Sequence, residues 1–194
     1  MKIGILTFHR ATNYGAILQA YALIQYLINQ GYDAKIVDYK PKGMGILYAP
    51  INVPGFLKKI KRIVLNLLML PSLLTRYKKR EMFWKYINKV LPMTDIVLSS
   101  GDLPRMDVYI VGSDQVWRPR YNRLLDASFL IFTTNSRKIA YAASFGTDKW
   151  EFNEQQTAAY SKAIRQFRAI GVREQSAITL CKDYWDVDVT LVLD

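Results

Sequence analysis

The sequence predicts an α/β fold, a parallel sheet flanked by helices. Three observations carry that reading. Short apolar runs alternate with helical patterns of about 3.6-residue period, beginning with strand, helix and strand inside the first forty residues. Such a βαβ unit needs a parallel pair and a right-handed crossover. About half of the 194 residues are apolar, enough for a real core.

The elements follow in order. Lys2–Phe8, KIGILTF, is a short apolar run bounded by a turn and reads as a buried strand. From Asn13 to Gln30 the apolar positions Tyr14, Ile17, Leu18, Tyr21, Ile24, Leu27 and Ile28 keep helical spacing, and Gly31 follows as a C-cap. Ala34–Tyr39 is a second strand, stopped by Pro41, Gly43 and Gly45. Lys40–Gly55 reads as a loop, and Phe56–Leu70 and Ser72–Val90 as helices parted at Pro71. Asp107–Ser113 and Lys138–Ser144 are further strands, and Asn153–Phe167 is an amphipathic helix. A short strand at Ala169–Arg173, a helix at Glu174–Asp183 and a strand at Val189–Asp194 complete the pattern. The last strand is unfollowed, which reads as a chain stopping at an interdomain joint.

Composition excludes several chemistries. One cysteine, Cys181, allows no internal disulfide and no cysteine-based zinc cluster; in a late helix it reads as buried filler rather than a nucleophile. One histidine, His9, excludes a multi-histidine metal site, and no metal is expected. Met1–Lys2 leads straight into a strand with no signal peptide, so the cytoplasm is the expected compartment.

The net charge of +11 is local. No acidic residue lies between Asp38 and Glu81, while Lys40, Lys42, Lys58, Lys59, Lys61, Arg62, Arg76, Lys78, Lys79 and Arg80 do. Basic and aromatic residues interleave only in that insert, which argues against nucleic acid as a partner. Two readings of the insert stand side by side. Its basic face lies on an anionic membrane surface through Lys58–Arg80, or its apolar face packs on the sheet and its lysines are solvated. The apolar run Ile63–Leu74 is too short to span a bilayer.

In open parallel sheets, ligands bind where strand carboxyl ends lead into helix N-termini. The loops that fall there are HRATNYGA, GSDQVWRP, SFGTD and REQS, all polar, whereas those at the opposite edge read as ordinary connectors. Asn13 and Gly15 open a helix and form either a capped turn or an anion site. His9 is either a proton carrier or a structural imidazole. Gly112 allows a sharp turn, and Ser113 and Asp114 can bond main chain or ligand; Asp114 is open between an Asx-turn and a base or hydroxyl contact. Trp117 either stacks on a ring or covers the core. Arg173 either holds a carboxylate or phosphate or pairs with Glu174 or another neighbour. Asp38 after the second strand is weak support for a ribose contact.

In order along the chain, KIGILTF, NYGAILQAYAL, GYDAKIVDY, DVYIVGSDQVWRP, RKIAYAASFG, AIGVREQSA and VTLVLD resemble the polysaccharide pyruvyl transferase family. The likeness runs through almost the whole chain, with the basic insert at about 55–90 its least characteristic part. It implies a Rossmann-like N-terminal domain spanning residues 1–194, one half of a GT-B-like two-domain fold with a ligand cleft between the halves. The implied reaction transfers a pyruvyl group from phosphoenolpyruvate, as co-substrate and without a cofactor, to a sugar of a surface polysaccharide or its lipid-linked precursor. Carried over by position, Asn13, Gly15, Gly112, Ser113, Asp114, Gln115, Trp117, Ser144, Gly146 and Arg173 are the substrate-binding positions, with Asp114 and His9 the catalytic candidates. The family's second domain carries an Arg–Leu/Met–His motif that does not occur here, so this chain alone is expected to be inactive. Two other functions compete: a GT-B-like glycosyltransferase using a nucleotide sugar, and a non-catalytic basic module on an anionic membrane at the cytoplasmic face. Oligomeric state is left open.

Overall fold

The computed structural model describes residues 1–10, 13–40, 75, 78–79, 81–122 and 124–194. The expected helix Phe56–Leu70, the start of that at Ser72–Val90 and most of the basic insert lie outside the described residues.

Six parallel strands form one sheet in the order β2-β1-β3-β4-β5-β6. They are β1 (Lys2–Leu6), β2 (Asp33–Ile36), β3 (Val108–Asp114), β4 (Arg137–Ala143), β5 (Phe167–Val172) and β6 (Thr190–Leu191). The helices are α1 (Tyr14–Asn29), α2 (81–90), α3 (Leu125–Ser128), α4 (Glu154–Ile164) and α5 (Gln175–Trp185). The α/β fold of the sequence reading holds, and strand ends shift by one to three residues. The last strand shrinks most, from Val189–Asp194 to the two residues Thr190–Leu191.

Local sequence accounts for the helix ends. Asn13 caps α1, its Oδ1 accepting from the Gly15 N–H at 2.9 Å, and Gly31 turns the chain away at φ +82°. Asn153 and Gln156 close a reciprocal capping box on α4. Within α1, Ala16, Ile17, Ala20, Ile24 and Leu27 face inward, the spacing of one helix stripe.

Two cores share the sheet. Around β1 and β2 the packing is aliphatic, with Ile3, Ile5, Ile17, Ile24 and Ile36 meeting Phe83, Ile87 and Leu91 from the α2 region. Around β3 to β5 it is aromatic: Trp117 stacks on Phe129 at 5.4 Å, Phe129 on Tyr160 at 4.2 Å, and Trp185 meets Trp117 edge-on. Each such pair adds about 0.5–1.5 kcal/mol to the area it buries.

Beyond β2 the segment 92–98 runs alongside in parallel, bridging Ile36 to Met93 and Tyr39 to Val97. The sequence reading assigned no element there. No described helix is long and apolar enough to cross a membrane.

Candidate functional site

The chain leaves β1 for β2 on one side and reaches β3 on the other, so the strand order reverses between β1 and β3. A crevice opens outside the carboxyl ends at such a switch point. Here it is bridged by a side chain the sequence reading did not single out. Gln19, on the inward side of α1, donates from Nε2 to the Thr7 Oγ1 (2.9 Å) and the Ala16 carbonyl (2.8 Å). Its Oε1 lies 3.3 Å from the Ser113 N–H and 3.1 Å from the Ser113 hydroxyl. Thr7 Oγ1 in turn donates to the Ser113 carbonyl at 3.0 Å. One amide thus ties the ends of the two strands that flank the crevice.

The GSDQ turn needs its glycine. Gly112 sits at φ +109°, and a Cβ there would lie 2.1 Å from the Tyr141 carbonyl oxygen. Asp114 follows at φ +91°, with its Oδ1 accepting from the Gln115 N–H at 2.7 Å; that bond reaches one residue on and not the two an Asx-turn spans, while the Val116 N–H goes to the Asp114 backbone carbonyl. Gly146 at φ +61° packs against Gln115, where a Cβ would be 2.4 Å from the amide carbon.

Further along the same edge, Glu174 Oε1 gathers the Ser144 hydroxyl (2.9 Å), the Phe145 N–H (2.9 Å) and the Gly146 N–H (3.3 Å). That carboxylate fixes the SFG loop to the end of β5, a role the motif VREQS did not reveal. Arg173 donates to the Asp194 carboxylate at 2.8 Å and to the Ser144 hydroxyl at 3.1 Å, and lies 3.7 Å from Glu174. Asp194 also accepts from the Ser113 hydroxyl. Burial would lower the Arg173 guanidinium, but Asp194, Glu174 and Asp114 together push it above its ordinary value, so it is a permanent cation. The sequence reading's second option for Arg173, pairing with neighbours, describes this arrangement.

The structure brings Gly112, Ser113, Asp114, Gln115, Ser144, Gly146 and Arg173 to one edge, with Asn13 and Gly15 at the start of α1. Trp117 is a correction. Its ring is 0% exposed, stacked on Phe129, with Nε1 donating to the Ser128 carbonyl, so it covers the core and presents no face to a ligand.

His9 is 4% exposed and both ring nitrogens are engaged, by the Thr7 carbonyl at 3.1 Å and Asp38 at 2.9 Å. The structural imidazole is the reading this geometry favours. Asp38 also takes both prongs of Arg10, each at 2.6 Å, and at 2% exposed its carboxylate is turned into the protein and not toward a ribose. Burial raises the Asp38 carboxyl, yet the hydrogen bonds and charge of His9 and Arg10 outweigh it and hold the group below its ordinary value. The Arg10 guanidinium lies over the Trp84 ring at 4.1 Å, joining this cluster to α2. Cys181 is fully buried with its thiol pushed up to about 12, chiefly by desolvation, and is inert filler as expected.

No curated protein and no solved structure matches the chain. The family model described as Polysaccharide pyruvyl transferase matches residues 13–194, a stretch that takes in α1 with Gln19, the GSDQ turn, the SFG loop and Arg173. On that match the chain belongs to the polysaccharide pyruvyl transferase family, a family of transferases.

Proposed function

We propose that the chain is the N-terminal, acceptor-side half of an enzyme that moves the pyruvyl unit of phosphoenolpyruvate onto a sugar of a surface polysaccharide or its lipid-linked precursor. The observation that carries the reading is the family match running through the residues gathered at the carboxyl edge of the sheet.

The chemistry suits such an edge. A proton reaches the methylene carbon of the enol, the central carbon becomes oxocarbenium-like, two sugar hydroxyls attack in turn, and phosphate leaves to give a cyclic ketal. Arg173, braced by Asp194 and the Ser144 hydroxyl, stays a cation at this edge, and binding the donor's carboxylate or phosphate would have it exchange the Asp194 pairing for the ligand. Asp114, held by its own turn, is the carboxylate for a sugar hydroxyl. Gly112 and Gly146 let the backbone approach closely, and Gln19 keeps Ser113 in register with Thr7. In this reading the second half of the enzyme supplies the remaining donor contacts and the general acid. A cytoplasmic enzyme acting on a lipid-linked acceptor would meet an anionic membrane through Lys58–Arg80.

The test uses the protein of the full reading frame with phosphoenolpyruvate and a panel of glycans and lipid-linked oligosaccharides. Phosphate release with an acid-labile pyruvylated sugar is expected, and Arg173→Gln should abolish it. No phosphate release across the panel, or tighter binding of UDP than of phosphoenolpyruvate, overturns the reading in favour of a nucleotide-sugar enzyme.

A further inference from the structure

Past β6 the chain leaves its strand. β6 pairs with β5 at two positions only, and both of its residues are exposed. Val192 still donates to the Val172 carbonyl at 2.9 Å, but the Leu193 carbonyl accepts from the Tyr141 hydroxyl of β4 at 3.0 Å. The Asp194 carboxylate then accepts from Ser113 at the end of β3. Residues 192–194 thus run from β6 past β5 and β4 to β3, across three strand spacings of about 4.8 Å each. Leu193 is 88% exposed, so its side chain adds no packing that would pin the crossing.

Asp194 lies against two groups suited to an anion, the Ser113 hydroxyl and the Arg173 guanidinium at 2.8 Å. Both hosts have a second partner. Ser113 Oγ also lies 3.1 Å from Gln19 Oε1, and a hydroxyl has one proton to give. Arg173 keeps Ser144 at 3.1 Å and Glu174 at 3.7 Å. Release of Asp194 therefore orphans neither host, and an orphaned buried group is what makes a polar contact costly to break. The Arg173 and Asp194 side chains are 31% and 27% exposed, so an anion from solvent reaches the pair.

We propose that Asp194 is the internal occupant of an anion site formed by Ser113 and Arg173, and that residues 192–194 are a strap which an incoming carboxylate or phosphate displaces. The bonds describe two alternative arrangements of the same groups. With the strap seated, Asp194 takes the Ser113 hydroxyl and one prong of Arg173. With it released, Ser113 turns to Gln19, and Arg173 presents the freed prong while Ser144 holds the other. Two carboxylates cannot share one prong without repelling each other, so anion and strap exclude one another. A phosphate dianion has the stronger claim on the same cation. The identity of the anion rests on the donor proposed above, phosphoenolpyruvate, whereas the displacement does not.

The experiment titrates phosphoenolpyruvate, and separately inorganic phosphate, into the full chain by calorimetry, and follows hydrogen exchange across residues 189–194. Asp194→Asn should tighten binding of both anions at least about tenfold, the affinity lost to a strap seated in about nine molecules of ten. Tyr141→Phe leaves the charge in place and frees only the Leu193 carbonyl, so it should tighten binding in the same direction by less. In the wild type either anion should speed exchange across 189–194, and in Asp194→Asn exchange should be fast from the start. Adding Arg173→Gln to Asp194→Asn should erase the gain. Equal affinities for wild type and Asp194→Asn, no binding to either, or exchange that the anion leaves unchanged overturn the proposal. A gain that survives Arg173→Gln places the anion elsewhere and overturns it too. If inorganic phosphate passes these tests and phosphoenolpyruvate does not, the strap stands and the proposed donor falls.

Discussion

At the carboxyl end of the sheet, Arg173 pairs with Glu174 and with Asp194, and the three side chains reach Ser113, Ser144 and two backbone N–H groups. Beside β2, Lys2, Lys35, Arg105, Asp33, Asp95 and Asp102 surround a groove, and their side chains form no ion pair among the described residues. The same residue types thus serve two regions of one sheet in opposite ways. Groups that must stand at fixed positions are cross-braced, and a preorganised site needs that bracing before any ligand arrives. Groups that stay solvated keep their freedom and cost little to change.

The sharpest attempt to break this contrast is Gly112→Ala. The added methyl would meet the Tyr141 carbonyl at 2.1 Å in a backbone region that side chains rarely adopt, so we expect a loss of about 4 kcal/mol or more, or no folded protein. Urea unfolding measures it, and a cost below about 1 kcal/mol would mean that the turn is not braced.

Next comes Asp38→Asn, which strips Arg10 and His9 of their shared carboxylate and should cost about 3 kcal/mol at neutral pH. The sign of the pH effect follows from a folded-state pKa held below the ordinary value. The contribution is present above the unfolded-state pKa and disappears as pH falls through the folded one. Wild-type stability should therefore fall below the usual carboxylate range more steeply than that of Asp38→Asn; parallel acid profiles for the two would contradict it.

Gln19→Leu should cost about 1–3 kcal/mol, because the Ser113 N–H and the Thr7 hydroxyl lose their partner at the crevice. In the full enzyme it should also lower activity beyond what the lost stability explains, and Gln19→Glu should not restore it, since a carboxylate cannot donate to Thr7. Around the groove beside β2, Lys35→Ala and Asp95→Ala should each stay within about 0.5 kcal/mol of the wild type in urea unfolding. A larger cost would show that the charges around the groove are braced too.

Much of this architecture was legible in the residues. The strands and helices announce themselves through local periodicity, and Gly31, Asn13 and Asn153 mark helix ends by mechanisms confined to a few neighbours. The polar loops at the carboxyl edge could be read as a set because parallel topology dictates which strand ends lie together. Partnerships across the fold were not legible. Gln19 lies 94 residues from Ser113, and nothing near either position signals their bond. Glu174 reads as an ordinary first-turn acid until the Ser144 loop is folded against it. Trp117 stood next to a polar turn and invited a ligand role, whereas its burial depends on Phe129, Phe145 and Trp185 arriving from three later segments. The 92–98 segment escaped notice because two isolated bridges leave no alternation long enough to see.

The pairing of Arg10 with Trp84 has a use of its own. Of the four tryptophans, Trp117, Trp150 and Trp185 belong to one aromatic cluster, with centroid separations of 6.4 Å and 4.7 Å about Trp185, so excitation is shared among them. Trp84 makes no ring contact with them among the described residues and sits instead beneath a guanidinium. Its emission is therefore a private optical record of the first loop. Subtracting the spectrum of Trp84→Phe isolates that record, and a wavelength shift within it would follow Arg10 leaving Asp38 in real time.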